Sequence, residues 1–206
     1  MNQTPTRPRR VRADGQRSRD AILDTAARLA TVEGLEGLSI GNLARHTGMS
    51  KSGLYAHFTS KEELQLATID RGAEIFFAEV LAPAHQQGEG LALLWALCDE
   101  FLGHLERGVF PGGCFFASLS SEFDTRPGRV KERLAGVLED WMGELVAAAG
   151  QAIERGELDP GTEPEQVGFE LDALLFMGHA TYIMYGDPAL LGRARRGIER
   201  LLGPRR

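Results

Sequence analysis

Apolar residues recur along nearly the whole chain at spacings of three and four. No Val, Ile and Thr run alternates with polar residues, and no Asn-Gly or Asp-Gly hairpin signal appears. This pattern predicts an all-α protein. From about Ser18 to Val32, Ile22, Leu23, Ala26, Ala27, Leu29 and Ala30 form one broad stripe, with Gly34 as the expected stop. Ser39 is placed to cap a short second helix carrying Ile40, Leu43, Ala44 and Thr47 and ended by Gly48. Ser50 caps a third, in which Leu54 and Phe58 face inward while Lys51, Ser52, Tyr55, Ala56 and His57 point elsewhere. Ser60 with Glu63 three residues later is a capping-box pattern, which opens a fourth helix expected to run to about Leu81 and to stop at Pro83.

Beyond a loop at Gln86–Gly90, helices are expected near Leu91–Arg107, Gly113–Phe123 and Arg126–Arg155, the last with a stripe of Val130, Leu134, Val137, Leu138, Trp141, Leu145, Ala148 and Ala152. The segment Pro164–Tyr185 has two apolar rows. One is Val167, Leu171, Leu174, Leu175, Gly178 and Tyr182; the other is Phe169, Ala173, Phe176, Ala180 and Ile183. A helix apolar on two sides needs a second partner, and an isologous contact between two copies would supply one. A final helix over Pro188–Leu202 presents Leu191, Ala194, Ile198 and Leu201 opposite a row of arginines. The interface of a homodimer is accordingly expected at Phe169, Leu171, Leu175, Phe176, Ile183, Leu191 and Ile198.

Charge divides the 206-residue chain unevenly. Residues 1–67 hold 10 Lys and Arg against 7 Asp and Glu, and residues 68–206 hold 13 against 22, so a protein of net charge -6 has a basic front and an acidic remainder. One part is suited to phosphate and the other is not. The expected organisation is a flexible basic arm over residues 1–16, a helix-turn-helix unit over 17–64, and a helical dimerisation domain over 65–206. The longest apolar run, Leu91–Cys98, is far short of the roughly 20 residues of a membrane span. The early arginines are not followed by an apolar stretch, so no signal peptide and a cytoplasmic location are expected. Cys98 and Cys114 form no zinc or disulfide spacing, and neither a metal nor a cofactor is expected.

Two short helices joined by a Gly-containing turn suit DNA, because the first braces the second while the second pushes its polar N-terminal turn into the major groove. The third helix offers a cation and hydroxyls at its start, then a tyrosine and a histidine. From these residue types alone, an ordinary helical hairpin with a solvated face is an equal alternative. The strings Leu38-Ser39-Ile40-Gly41-Asn42-Leu43-Ala44, Gly48-Met49-Ser50-Lys51-Ser52-Gly53-Leu54-Tyr55-Ala56-His57-Phe58 and Ser60-Lys61-Glu62-Glu63-Leu64 closely resemble the DNA-binding domain of the TetR family of bacterial repressors. The resemblance covers about residues 18–68. It implies that Lys51, Ser52 and Gly53 sit where base edges are reached, with Lys51 the candidate guanine reader, and that the cap residue Ser50 belongs to the same DNA-binding set. It also implies that Tyr55, His57 and Lys61 touch phosphate, as Ser39 does beside its capping role. Gly41 and Gly53 depart from this pattern by offering no side chain, which shifts readout toward DNA shape.

The same resemblance implies a palindromic operator as partner, a homodimer built by the last two helices, and a pocket for a small-molecule effector. Candidate lining residues are Trp95, Phe101, His104, Phe110, Phe115, Phe116, Trp141, Phe176, His179 and Tyr182, each also explicable as core. No motif of an enzyme is present: there is no Ser/His/Asp order, phosphate loop or H-E-x-x-H. A thiol sensor of the same fold is the alternative regulator. Cys114 follows Pro111-Gly112-Gly113 near an expected helix start, a position that would lower its pKa, against the simpler reading of an inert buried cysteine.

Overall fold

The computed structural model describes residues 8–205, with side chains from residue 15 onward, and these residues form helices and connecting turns without a strand. α1 (Pro8–Gly37) begins ten residues before the periodic stripe. The basic arm expected over 1–16 therefore lies outside the described residues as far as residue 7 and is helical backbone after it. Within α1, Gly34 takes φ 75° and ψ 161°, a conformation that favours glycine, and it kinks the helix where the stop was expected. Two backbone N–H groups freed by the kink, at Leu35 and Glu36, donate to the carboxylate of Glu122 at 2.9 and 2.7 Å. A residue 87 positions away in sequence thus acts as the cap of the last turn of α1.

α2 (Ile40–Thr47), α3 (Lys51–Tyr55) and α4 (Lys61–Phe76) follow with the expected caps: Ser39 Oγ accepts from Asn42 N, Ser50 Oγ from Gly53 N and Ser60 Oγ from Glu63 N, at 3.0–3.1 Å. The Glu63 carboxylate returns to Thr59 N and Oγ1 instead of to Ser60. Leu35, Leu38, Leu43, Leu54, Phe58 and Leu64 are fully buried between these helices. Helix propensity contributes little over five residues, so α3 depends on this apolar cluster and its serine cap.

Pro83 does not end the fourth helix, as its sequence suggests. The chain passes from α4 through a π turn, Phe77–Leu81, into α5 (Ala82–His85), with Ala82 N bonded to Phe77 O. An α-helical proline would clash with the carbonyl four residues back and leave it without its N–H partner. Widening the turn relieves this, and Arg107 Nη2 donates to that carbonyl, Glu79 O, at 2.9 Å.

The remainder comprises α6 (Leu91–Glu106), α7 (Phe115–Phe123), α8 (Arg129–Glu154), α9 (Pro164–Tyr185) and α10 (Ala189–Leu202). α6 is buried along most of its length and is packed by α8, α9 and α10. α7 lies against α1, and α4 runs between α1 and α8, with ion pairs Arg71–Asp24 and Arg133–Asp70 on its two sides. The turn before α7 joins three elements at Gly112: its N–H donates to Thr31 Oγ1 of α1, and its carbonyl accepts from Ser118 Oγ of α7 and from His179 Nε2 of α9. No side chain fits there, since a Cβ on Gly112 would lie 1.9 Å from Thr31 O and one on Gly113 would lie 2.5 Å from His179 Nε2.

The two apolar rows of α9 separate cleanly. Leu171 and Leu175 are 0% exposed, and Leu191 and Ile198 of α10 are as deeply buried. These four expected interface residues lie in the core of this chain. The other row stays uncovered, with Phe169 63% exposed, and it continues through Phe176 and Ile183 to three residues not anticipated, Met177, Met184 and Tyr185.

Candidate nucleic-acid interface and internal cavity

The cap of α2, the outer face of α3 and the first turn of α4 enclose a shallow surface groove. Ser39, Gly41, Lys51, Tyr55, Ser60 and Lys61 line its polar parts, over a floor of Leu38, Ile40 and Leu64. Lys51 and Tyr55 are exposed. The missing side chain of Gly41 matters locally, because a Cβ there would come within 3.6 Å of Lys51 Cε and 3.8 Å of its Nζ. The lysine therefore lies across the glycine. Ser52 is exposed outside the groove, its hydroxyl 3.1 Å from Ser50 Oγ, and Gly53 gives its N–H to Ser50. His57 is half-buried beside the Phe58 ring, and its carbonyl accepts from Arg19 Nη1 at 2.6 Å. Arg19 also lies 4.4 Å over the Phe58 ring and so fixes the end of the α3 turn to α1.

Lys61 is engaged within the protein: its Nζ donates to Glu36 O at 2.8 Å and to Glu36 Oε2 at 2.9 Å. Gln65 Nε2 adds bonds to Leu35 O and Glu36 Oε1, and Lys61 and Gln65 together hold the Glu36 carboxyl below its ordinary pKa. The segment 35–36 is thus gripped from one side by α4 and from the other by Glu122 of α7. Sequence periodicity gives no signal for Glu122, which resembles any exposed helical glutamate.

A second concavity lies inside the acidic part, between α4, α6, α7, α8 and α9. It has a volume of about 220 Å³. Of the residues expected to line a pocket, Phe101, Phe116, Trp141 and Phe176 do so, joined by Phe76, Cys114, Ser120 and Asp172, which were not anticipated. Phe76 stands edge-on to Phe116 and Trp141 at 6.0 and 5.3 Å, and Phe101 stacks on Trp141 at 5.9 Å. Trp141 Nε1 donates to Asp172 Oδ1 at 2.8 Å. The signal for Asp172 is a carboxyl set between Leu171 and Ala173 on the apolar side of α9, two residues after Glu170.

The other candidates lie elsewhere. Trp95 faces a different groove, with Arg205 4.4 Å over its ring. Phe110 packs on Phe115 and His104, while Phe115 presses on Gly72, where a Cβ would come within 2.7 Å of its ring. His104 is buried against Phe76, with neither ring nitrogen hydrogen-bonded, and burial pulls its pKa down to about 4. His179 gives its Nε2 proton to Gly112, and Tyr182 is a half-buried neighbour of the core.

Cys114 does cap α7 and lines the cavity, yet its thiol is pushed up to about 11 because burial outweighs the backbone N–H groups of Ala117 and Phe116. That runs against the low pKa expected from its place at a helix start and disfavours an ionised thiol sensor. Among the described residues no group of His, Cys, Asp and Glu is arranged for a metal, and no helix is long and apolar enough to cross a membrane.

Comparison with known proteins agrees with this anatomy. The family model "Bacterial regulatory proteins, tetR family" matches residues 22–68, and "Tetracyclin repressor-like, C-terminal domain" matches residues 90–198. The HTH-type transcriptional repressor ComR of Escherichia coli K12 is 43% identical over 145 residues, which are 69% of this chain and 68% of ComR. A TetR transcriptional regulator from Chloroflexus aurantiacus superposes with a TM-score of 0.85 at 26% identity, covering 91% of this chain and 95% of its own. AibR, solved in complex with isovaleryl coenzyme A and operator DNA, shares the fold at 24% identity and a TM-score of 0.72, over 91% of this chain and all of its own. With its helix-turn-helix unit and its helical C-terminal domain both matched, this chain belongs to the TetR family of DNA-binding transcriptional regulators.

Proposed function

We propose that the protein is a cytoplasmic repressor that binds a palindromic operator as a homodimer and leaves it when a small molecule fills the cavity between α4 and α9. The observation that carries the reading is the convergence of Ser39, Lys51, Tyr55 and Lys61 on one groove around the free face of α3. A cation and hydroxyls at helix starts suit base edges and phosphates, and Lys51 reads a base while Tyr55, His57 and Lys61 position the duplex. The uncovered row of α9, from Phe169 to Tyr185, supports pairing with a second copy, and a two-fold dimer imposes two-fold symmetry on its site. Support for effector control comes from AibR, whose fold accommodates both operator DNA and a small ligand.

The test begins by selecting bound fragments from the source genome. Lys51→Ala should then cost about 1–3 kcal/mol on the selected operator and relax preference at one base position, whereas Lys61→Ala should weaken all sequences and lower the salt slope. Unchanged affinity and preference in Lys51→Ala would remove the base-reading role.

A further inference from the structure

One group in the cavity is not explained by its apolar walls. Asp172 lines it from α9, with Oδ1 held by Trp141 Nε1. Burial raises the pKa of this carboxyl, with the Trp141 bond opposing it by less, and among the described residues no Lys, Arg or His lines the cavity. An ionised carboxylate in such a place is costly until a counter-charge arrives. Two other polar groups line the cavity, and both are neutral: the Cys114 thiol and the Ser120 hydroxyl, which donates to Ala117 O. An anion would find no positive partner here. Around the carboxyl stand the rings of Phe76, Phe101, Phe116, Trp141 and Phe176, whose faces attract positive charge and whose bodies accept hydrocarbon.

We propose that the effector is a lipophilic organic cation, with its ammonium-type charge against Asp172 and its apolar body among the rings of the cavity. The inference rests on reading this cavity as the effector site. The carboxyl supplies the charge selection and the rings supply most of the buried area. Trp141 holds one carboxylate oxygen and leaves the other to the ligand.

The test compares benzyltrimethylammonium with its uncharged isostere neopentylbenzene, each titrated into the full-length protein and followed by tryptophan fluorescence. The cation should bind about tenfold or more tighter. Asp172→Asn keeps an oxygen acceptor for Trp141 and should bring the ratio close to one; the comparison in the unsubstituted protein stands whether or not this variant folds. Equal affinities, tighter binding of the neutral probe, or a preference that survives Asp172→Asn would overturn the cationic assignment and leave the cavity as the effector site. Binding of neither probe at millimolar concentration would overturn both.

Discussion

Glu122 offers a direct test of how the two halves of the chain are joined. Its carboxylate accepts from Leu35 N and Glu36 N at 2.9 and 2.7 Å, immediately after the kink at Gly34 and immediately before α2. Glu122→Ala strands both N–H groups. A hydrogen bond to a charged group is worth about 1.5–3 kcal/mol where water is excluded; here Leu35 N is sheltered and Glu36 N is open, so the pair should contribute about 2 kcal/mol. In a chain of this length that corresponds to a fall of about 4–8 °C in Tm by scanning calorimetry. Glu122→Gln retains one side-chain oxygen and should lose about half as much. The segment held by Glu122 is also the one that Lys61 grips, and α7 carries Cys114, Phe116, Ala117 and Ser120 into the cavity wall. Cutting the clamp should therefore leave effector affinity nearly intact while its dependence on operator, about 5- to 150-fold in a coupled protein, collapses toward one. A Tm within 1 °C of the parent would refute the capping argument, and undiminished coupling would refute the route through α7.

Two further outcomes follow from burial. Phe169→Glu combined with Ile183→Glu should give folded monomers by light scattering, whereas Leu175→Glu should unfold the chain, because that side chain is sealed inside it; a dimer that survives both changes on the exposed row would remove α9 from the interface. His104 is the main acid liability: its pKa falls to about 4, through desolvation first and the charges of Arg107 and His179 second. The unfolded chain takes up this proton near pH 6.5 and the folded chain resists it, so stability is complete above that pH and declines by about 3 kcal/mol as pH falls to 4. His104→Leu should flatten the slope of urea midpoint against pH between 7 and 5, and an unaltered slope would show that His104 is not its source.

The helix-turn-helix was legible because everything that defines it is local. Ser39, Ser50 and Ser60 cap within three residues, and the apolar positions they precede close one small core. Longer-range choices were not. Periodicity finds both rows of α9 but cannot say which one meets its own chain, so Leu171 and Leu175 read as interface although they are sealed in this chain's core. Pro83 obeys a local rule that fails once Arg107, 24 residues later, supplies a donor to Glu79 O. Aromatic residues were gathered by type, which collected Phe101, Phe116, Trp141 and Phe176 but also Trp95 and His104, and passed over Asp172 and Glu122, whose roles depend on where other helices put them.

The junction at Gly112 has a consequence for how such a protein can change over time. Walls of the cavity such as Val137, Leu138 and Met142 are aliphatic and exchangeable for others of similar volume, so the ligand preference of the proposed effector site is open to gradual drift. Gly112 admits no such drift: every alternative side chain drives a Cβ into the carbonyl of Thr31, and Gly113 is closed in the same way by His179 and Ile183. A saturation library selected for a new inducer should accumulate replacements around the cavity and return glycine alone at these two positions. New specificities would then arise on an unaltered junction among α1, α7 and α9.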